Sequence, residues 1–452
     1  MKRYSGLLLL LGLTLSAVQG ALAGNGTVRP LSLGEALDLA EANSYQILIS
    51  ENQRKENAGR DQEAWRAYLP QLLVSERGVR STDPVSVFGI KLRQGVFTAS
   101  DFDLQQLNNP ERIDNYSTAI EVKQPLLNPD AMFGKSAAGA AAKAAEYAAL
   151  RTHEAVALEV EKSYYTLVLA HGNLETIAQA VKSAETHHRE VEAAYAKGLV
   201  SEADLLSSRV RLAEMEEQRL TAGLDIANAE DHLKYLLAIE DATGILPTDS
   251  LSIAEGDLDI SDAPLTGAPA DRSDLLALRY QEEAARKGLW MRRGEWIPRL
   301  NAFGSTQWDD PDVFGTSKNH WTMGFALEWN IFDGLGQWGR RSQAGAAAAA
   351  ASIQYKEAQA RGGMEVRRAH RSLSTARERV GVAQKAVGQS KESLRIVEAR
   401  FRQGLERVSE LIDKESASTN AELRLKKATY DFKIAQSELK FYLGSGRKPS
   451  GR

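Results

Sequence analysis

Two stretches of this chain, YAKGLVSEADLL at residues 195–206 and FRQGLERVSELI at residues 401–412, are two versions of one pattern. The offset of 206 residues between them also relates SAAGA at 136–140 to SQAGA at 342–346. A register that holds without a gap for about 100 residues indicates two copies of one structural unit. The chain is therefore predicted to be a tandem structural repeat.

Each unit is predicted to contain a very long helical hairpin. No proline interrupts the helical pattern of residues 132–197, which at 1.5 Å per residue corresponds to roughly 100 Å of helix. Gly198 then reverses the chain, because glycine readily takes the left-handed conformation that ends many helices, and a partner helix runs back to about residue 238. The second unit repeats this order over residues 339–443, with its turn at Gly404.

Three prolines mark predicted junctions between helices and strands. Pro70 closes the sequence AYLP, Pro298 closes EWIP, and Pro125 lies in QPLL, where the chain is expected to return to a helix. Proline continues a helix poorly and pushes the preceding residue toward extended geometry. Each unit is thus expected to place a pair of strands between its first helix and its hairpin.

The strand segments alternate between apolar and polar or small residues, most clearly where Trp321 and Trp329 bound the last of them. Each has about the length of a tilted membrane strand, and this alternation is typical of a membrane β-barrel. Four strands alone cannot close such a barrel, so several copies must pool their strands to remove the open edges. The alternative is a half-buried sheet in a soluble domain, which the export signal and the very long helices disfavour. The predicted strands are residues 72–80, 116–124, 300–308 and 321–329.

The N-terminus predicts export. Residues 1–23 combine Lys2 and Arg3 with a short apolar run and the small-x-small pattern of Ala21-Leu22-Ala23, which is typical of a cleaved signal peptide. The chain has no cysteine, which excludes disulfides, thiolate metal sites and a lipidated N-terminal cysteine. Its formal charge of −4 does not suggest a nucleic-acid partner.

The predicted organisation after the signal peptide has four parts. Residues 24–240 form the first unit, residues 241–272 an irregular connector rich in turn-forming residues, residues 273–444 the second unit, and residues 445–452 a polar tail. Within the first unit, residues 81–115 form a long loop whose hydrophobic side chains suggest packing on itself or on a neighbouring copy.

The sequence gives no sign of catalytic, cofactor or metal chemistry. The pair His187-His188 faces two sides of a helix, so we interpret it as part of a solvated helix face and not as a chelating pair. Gly362-Gly363 lies in a helical stretch without the lysine and hydroxyl of a phosphate-binding loop. We expect no enzyme activity and no cofactor.

Over residues 30–444 the chain resembles the TolC family of outer-membrane efflux proteins. The order and the doubling of several motifs carry this resemblance. They are LSLGEAL at 31–37, YLP at 68–70, QPL at 124–126, IFDG at 331–334 and the two turns at Gly198 and Gly404.

The resemblance implies a mainly α fold with a β-barrel contribution. Three chains would form a 12-strand β-barrel in outer-membrane lipid and a 12-helix α-barrel that extends into the periplasm. The trimer would passively conduct cargo delivered by a periplasmic adaptor and an inner-membrane pump or ABC transporter, and it would catalyse nothing itself. Drugs, metal cations and secreted proteins all remain open as cargo. The alternative function is a secreted periplasmic coiled-coil scaffold or adaptor without a pore.

The resemblance also assigns roles at the periplasmic end. The turns formed by Gly198 and Leu199 and by Gly404 and Leu405 would be the tips that dock the adaptor. In that family, acidic residues just beyond the second tip line a constriction, and Glu410 and Asp413 occupy those positions here. They lie three residues apart, so one helix face presents both. The alternative is that they only favour the positive end of the helix dipole.

The first unit matches this acidic pair only in part. Asp204 corresponds to Glu410, but Ser207 stands where the second unit has Asp413. The family often has a cationic side chain two residues after the second tip glycine, and this chain has Glu406 there. The resemblance therefore implies a gate at the same place with different hydrogen bonds.

Overall fold

The computed structural model describes residues 28–241, 243–253 and 268–444. The predicted signal peptide, its cleavage pattern and the C-terminal tail lie outside these residues, as do residues 242 and 254–267 of the connector.

The described chain is mainly helical, and two helices dominate it. The helix α5 is 68 residues long, about 100 Å, and begins with Pro129 in its first turn, where a proline removes no helical hydrogen bond. Its counterpart α8 has 67 residues. The helices are α1 (Leu33–Asn43), α2 (Tyr45–Glu63), α3 (Pro84–Gln94), α4 (Leu104–Asn108), α5 (Pro129–Ala196), α6 (Glu202–Leu237), α7 (Ser273–Gly294), α8 (Gly336–Arg402) and α9 (Val408–Tyr442).

The long helices form a single row. Helix α5 packs against α6 on one side and α9 on the other, and α9 packs against α8, so the order is α6–α5–α9–α8. Nearer the strands, α2 packs on α5, and α7 packs between α5 and α8. One apolar cluster joins α5 and α6 to α1, and another, centred on the fully buried Phe432, joins α8 to α9. Helices α6 and α8 are the ends of this row, although α8 also contacts α7 and α6 also contacts α1 nearer the strands.

A four-stranded antiparallel sheet caps the row. Its order is β2–β3–β5–β6, so β2 and β6 are the edges. Two glycines are covered by aromatic rings of the facing strand: a side chain at Gly78 would meet the ring of Tyr116, and one at Gly324 would meet Phe303. The strands of this sheet are β2 (Gln71–Ser81), β3 (Ile113–Leu127), β5 (Arg299–Asp310) and β6 (Lys318–Glu328).

A second, two-stranded sheet joins the start of the described chain to the connector. Strand β1 (Val28–Leu31) pairs in parallel with β4 (Gly244–Pro247). The prediction of an irregular connector is therefore wrong at β4. A four-residue parallel strand with its partner more than 200 residues away carries no local pattern that distinguishes it from a loop.

Two of the three predicted proline junctions lie where a helical segment meets a strand. Pro70 directly precedes β2 and Pro298 directly precedes β5. Pro125 does not mark a junction, because β3 continues through it to Leu127 with a register shift between these two residues. The bulge accommodates the missing N–H of the proline, and the next helix begins at Pro129 instead.

The long segment between β2 and β3 packs on itself. It contains α3, a 3-10 turn at Ala99–Phe102 and α4. The ring of Phe97 lies edge-on to Phe88 at 5.0 Å and to Phe102 at 5.2 Å, and Lys91 Nζ lies 2.6 Å from Asp101 Oδ1. The connection between β5 and β6 spans only residues 311–317, because both strands extend beyond the facing ends of the predicted segments 300–308 and 321–329.

The side chain of Tyr164 holds the small sheet onto α5. It is fully buried, and its hydroxyl oxygen lies 2.9 Å from Leu31 O and 2.7 Å from Asp249 Oδ2, so these two acceptors share its single proton. Burial, together with the hydrogen bond to Asp249, raises the pKa of Tyr164 to about 12. One hydroxyl thus connects α5 to both β1 and the segment that follows β4.

We predict that Tyr164→Phe lowers the free energy of unfolding by about 1–2 kcal/mol, because the hydrogen bonds of a buried hydroxyl with Leu31 O and Asp249 are lost. Tyr45→Phe is the matched control, since Tyr45 is exposed and its hydroxyl makes one long contact of 3.4 Å with Glu240. Urea unfolding followed by far-ultraviolet circular dichroism measures both. Equal midpoints for the two variants would contradict the role given to the Tyr164 hydroxyl.

Candidate functional site

The two turns that end the long helices have the same geometry. Gly198 has φ +70° and Gly404 has φ +72°, both left-handed. At the first turn Gly198 N donates to Tyr195 O at 2.8 Å and Leu199 N donates to Ala194 O at 3.0 Å. This pair of bonds is the Schellman motif, which satisfies the last carbonyls of a helix.

The second turn repeats these bonds. Gly404 N donates to Phe401 O at 2.9 Å, and Leu405 N donates to Arg400 O at 3.0 Å. Any other residue at either glycine would hold an unfavourable backbone conformation, even though the space around both is open. The sequence pattern therefore identified both helix ends correctly.

The leucines that follow the tip glycines are exposed. Leu199 is 74% exposed and Leu405 is 64% exposed. A Schellman motif commonly buries this residue against the last turn of the helix, but the positions available for that contact hold Ala194 and Arg400. Each tip therefore presents one apolar side chain to its surroundings.

Glu410 and Asp413 lie in the first turns of α9, just beyond the second tip. Glu410 Oε1 lies 2.8 Å from Lys414 Nζ, an ion pair along the helix, and this pair raises the pKa of Lys414. Asp413 is exposed. The protomer therefore leaves the Asp413 carboxylate open to solvent and neutralises Glu410 in part.

Asp204 has a local structural role that the sequence analysis missed. Its Oδ2 accepts from Ser201 N at 3.1 Å and from Ser201 Oγ at 2.6 Å, while Asp204 N donates to Ser201 Oγ at 3.2 Å. This is a capping box at the start of α6, and the Ser-x-x-Asp spacing was the available signal. Glu406 is also used locally, 3.5 Å from Arg400 in the same tip.

A buried histidine joins the two repeats above the tips. His187 of α5 is 8% exposed, and its Nδ1 contacts Oε1 of Glu415 on α9, which is itself buried. The interpretation of the histidine pair as a solvated helix face is therefore wrong at His187. Its neighbour His188 instead contacts Ser208 on α6 through Nδ1 at 2.8 Å.

The sequence offered one signal for this contact. His187 precedes Gly198 by as many residues as Glu415 follows Gly404. In a hairpin pair with level tips, residues at equal distances from the two glycines face each other. The contact therefore joins equivalent heights of the two hairpins at these two residues.

The carboxylates around His187 favour its charged form. Burial by itself disfavours the imidazolium, but the hydrogen bond with Glu415 and the nearby charges of Glu398 and Glu190 outweigh it and raise the pKa of His187. Glu398 Oε1 lies 3.9 Å from His187 Nε2. The arrangement is a polar lock between α5, α8 and α9 that protonation strengthens.

One face of the four-stranded sheet is apolar and exposed on its edge strands. Residues opposite each other in register share a face, and the register sets Leu72 opposite Val122, Val122 opposite Gly304, and Gly304 opposite Met323. The exposed side chains on this face are Leu72 (68%), Val74 (63%), Trp321 (69%), Met323 (72%), Phe325 (74%) and Leu327 (68%). Apolar side chains on this scale mark a surface that meets another apolar phase or partner.

The opposite face of the sheet is mainly polar. Glu121 pairs with Ser305, and Ser305 with Thr322, on this side. Leu73 and Phe303 interrupt the polar set. The sheet therefore separates an apolar side from a polar side over all four strands.

The described residues contain no group of three acidic or histidine side chains placed to hold a metal ion. No helix in the described part of the chain is both long and apolar enough to cross a membrane.

A model of the family described as "Outer membrane efflux protein" matches residues 36–238 and 266–445 of this chain. The chain is 21% identical to the outer membrane protein TolC of Vibrio cholerae serotype O1 over 343 residues, which covers 74% of this chain and 78% of that protein.

Solved structures share the fold. A membrane protein from Pseudomonas aeruginosa superimposes with a TM-score of 0.78 at 20% identity, covering 93% of this chain and 91% of that one. The Campylobacter jejuni CmeC outer membrane channel superimposes with a TM-score of 0.75 at 18% identity, covering 93% of this chain and 87% of that one. The mainly helical fold with a small sheet is therefore that of these membrane proteins.

We predict that the contact between His187 and Glu415 stabilises the protein more at low pH than at high pH. Because the pKa of His187 is raised on folding, this stabilisation is fully present below its unfolded pKa of 6.5 and is lost as the pH rises through the folded pKa. The difference in unfolding free energy between wild type and His187→Gln should be larger at about pH 5.5 than at about pH 8.5.

His188→Gln is the matched control for this experiment, since it removes an imidazole one residue away and leaves the His187–Glu415 contact in place. Urea unfolding at the two pH values measures the difference. A His187→Gln effect of equal size at both pH values would show that the imidazolium does not form the lock.

Proposed function

The chain belongs to the outer membrane efflux protein family, and from that membership we propose that three copies form a channel that passively conducts solutes out of the periplasm. The protein is an outer-membrane efflux channel component, and its helical part extends into the periplasm. The trimer, the conduction path and the partners are the proposal.

The open edges of the sheet are the observation that carries this proposal. Strands β2 and β6 each have one side without a partner strand in the described chain. In hydrocarbon, unpaired backbone N–H and C=O groups cost several kcal/mol each, so a sheet in a bilayer must close on itself. Pairing β6 of one copy with β2 of the next removes every edge, and three copies of four strands match the barrel of the family.

The two faces of the sheet fit such a closed barrel. The face that carries Trp321, Met323 and Phe325 would meet lipid, and the face that carries Glu121, Ser305 and Thr322 would line the lumen. Alternation of lipid-facing and lumen-facing residues is the pattern of transmembrane β-barrels. In a secreted scaffold without a pore, this apolar face would be exposed to water, which is unfavourable.

We place the docking of a periplasmic adaptor at the two tips. Gly198 and Gly404 fix two identical turns, and the exposed side chains of Leu199 and Leu405 offer the apolar anchors that a partner can bury. The adaptor would connect the channel to an inner-membrane pump or ABC transporter. The choice among drugs, metal cations and proteins as cargo would be made by that transporter.

We place the periplasmic constriction at Glu410 and Asp413. They lie three residues apart on α9, and three copies would bring six carboxylates around one axis. A ring of carboxylates attracts cations and repels anions. Asp204 contributes less, because its carboxylate is held by Ser201 in the capping box.

We predict that Glu410→Ala combined with Asp413→Ala increases single-channel conductance in planar lipid bilayers and weakens block by divalent cations. Both effects follow from removing the carboxylate ring. Asp204→Ala is the comparison at the equivalent position of the first unit, and it should change conductance less. A double variant that conducts and selects like the wild type would place the constriction elsewhere.

A further inference from the structure

We propose that the segment between β2 and β3, residues 82–112, is a lid on the extracellular mouth of the channel, in which α3 of three copies closes the lumen by an apolar contact. The inference rests on the proposed function, because it needs the barrel in which the polar face of the sheet lines the lumen. The occupant of the exposed apolar side of α3 is the same helix in the two neighbouring copies.

The lid lies at the end of the sheet that is remote from the long helices. Helical segments meet the strands at Pro70 and Pro298, and α5 begins at Pro129, so these junctions share one end of the sheet. Residues 82–112 connect β2 to β3 at the other end. In the proposed channel the helices extend into the periplasm, so the lid belongs to the extracellular mouth.

Helix α3 packs on the polar face of the sheet, where it contacts β3, β5 and β6. Gln94 Nε2 donates to Asn115 Oδ1 at 2.8 Å, and His320 Nε2 lies 2.9 Å from a backbone oxygen in the last turn of α3. Asn115 lies an even number of residues from Glu121, and His320 an even number from Thr322, so both belong to the polar face. In the barrel this face lines the lumen, and α3 therefore lies inside the mouth.

The polar face is buried where α3 lies on it. Asn115 is 3% exposed, and Asp309, on the same face, is 0% exposed. Asn115 Nδ2 donates to Asp309 Oδ1 at 2.8 Å, while the buried Gln94 contacts Asn115 from the side of α3. A side chain at Gly95, just after the helix, would meet the side chain of Lys318 on this face. A bare lumen wall would leave these polar groups exposed, so the lid is packed in place in this structure.

The corresponding connection of the second unit turns to the opposite face. The backbone N–H of Phe314, between β5 and β6, donates to Glu76 Oε1 at 3.1 Å. Glu76 lies an even number of residues from Leu72 along β2, so it belongs to the apolar face. Of the two strand connections at this end, the longer one of the first unit therefore covers the lumen side.

The side of α3 that faces away from the sheet is apolar and exposed. Val85 is 81% exposed and Leu92 is 50% exposed, whereas Val87 and Ile90 of the same helix are buried. With 3.6 residues per turn, Val85 and Leu92 both point roughly opposite to Gln94, which contacts the sheet. An apolar stripe on the free side of a helix favours a further apolar contact.

The width of the barrel brings three such helices together. Twelve strands about 4.8 Å apart and tilted by about 40° enclose a barrel roughly 25 Å across between opposite backbones. A helix with its side chains is about 10 Å across, so one helix on each third of the wall reaches the region of the axis. The three-fold axis then sets Val85 and Leu92 of each copy near those of the other two. A closed apolar ring of this kind excludes water and stops conduction.

Labelling of a lumen cysteine from outside the cell tests the lid, because the chain has no cysteine of its own. The reporter is Ser305→Cys, which lies on the polar face and deeper in the barrel than Asp309. In intact cells, a neutral maleimide attached to polyethylene glycol reaches this position only through the extracellular mouth, so the state of the periplasmic constriction does not affect the result. With the lid intact, labelling of Ser305→Cys should be slow.

Val85→Lys combined with Leu92→Lys should open the lid, because the ammonium groups of three copies would repel one another and hold water at the ring. The rate at which Ser305→Cys is labelled should rise by at least about tenfold. Val313→Lys is the matched control, since it makes the same change at an exposed apolar residue of the other connection, and it should leave the rate unchanged. Val313→Cys should be labelled in every background, which shows that each variant reaches the cell surface.

The outcomes separate the lid from the proposed channel. Labelling of Ser305→Cys that is equally fast with the lid intact overturns the lid. A reporter that stays unlabelled in the double-lysine variant while Val313→Cys is labelled also overturns it, and neither result contradicts the channel. Met323→Cys, on the apolar face, should remain unlabelled; if it is labelled as fast as Ser305→Cys in the double-lysine variant, the proposed barrel itself is wrong.

Discussion

The backbone of an edge strand must find a partner, and in this protein that requirement acts at both ends of the same sheet. Strands β2 and β6 each leave a row of N–H and C=O groups unpaired within the described protomer. Water can satisfy such groups, but hydrocarbon cannot. The exposed apolar face beside these edges disfavours water around the sheet, and the open edges disfavour hydrocarbon around a single copy. The proposed pairing of neighbouring copies would satisfy the edges while the apolar face meets lipid.

Along α5 and α9, several polar contacts join the two repeats, in addition to the packing of α5 on α7 and the pairing of β3 with β5. Besides His187 and Glu415, Lys162 Nζ lies 2.8 Å from Glu438 Oε1. Thr166 Oγ1 lies 3.0 Å from the hydroxyl of Tyr430. Polar contacts of this kind fix relative height and direction without the tight interdigitation of an apolar core.

The parts of this fold that the sequence predicted are those encoded by local chemistry. The doubled turn was visible because glycine takes φ near +70° more readily than other residues, and the strands were visible because their two faces differ in polarity. The parts that were missed depend on partners far along the chain. The burial of His187 comes from Glu415, 228 residues away, and strand β4 exists only because β1 lies beside it. Pro125 was misplaced because a bulge let the strand pass through it.

The parallel pairing of β1 with β4 also constrains the order in which the chain can reach its final form. These strands enclose the whole first unit, so their pairing closes a loop of more than 200 residues. The entropy lost on closing a loop grows with its length, and contacts this distant in sequence form slowly unless intervening structure first brings the ends together. The hairpin of α5 and α6 does so, because α6 ends at Leu237 beside the middle of α5, where Tyr164 contacts Leu31 and Asp249. We therefore expect the β1–β4 sheet to form only after the first unit has been synthesised and its α5–α6 hairpin has formed.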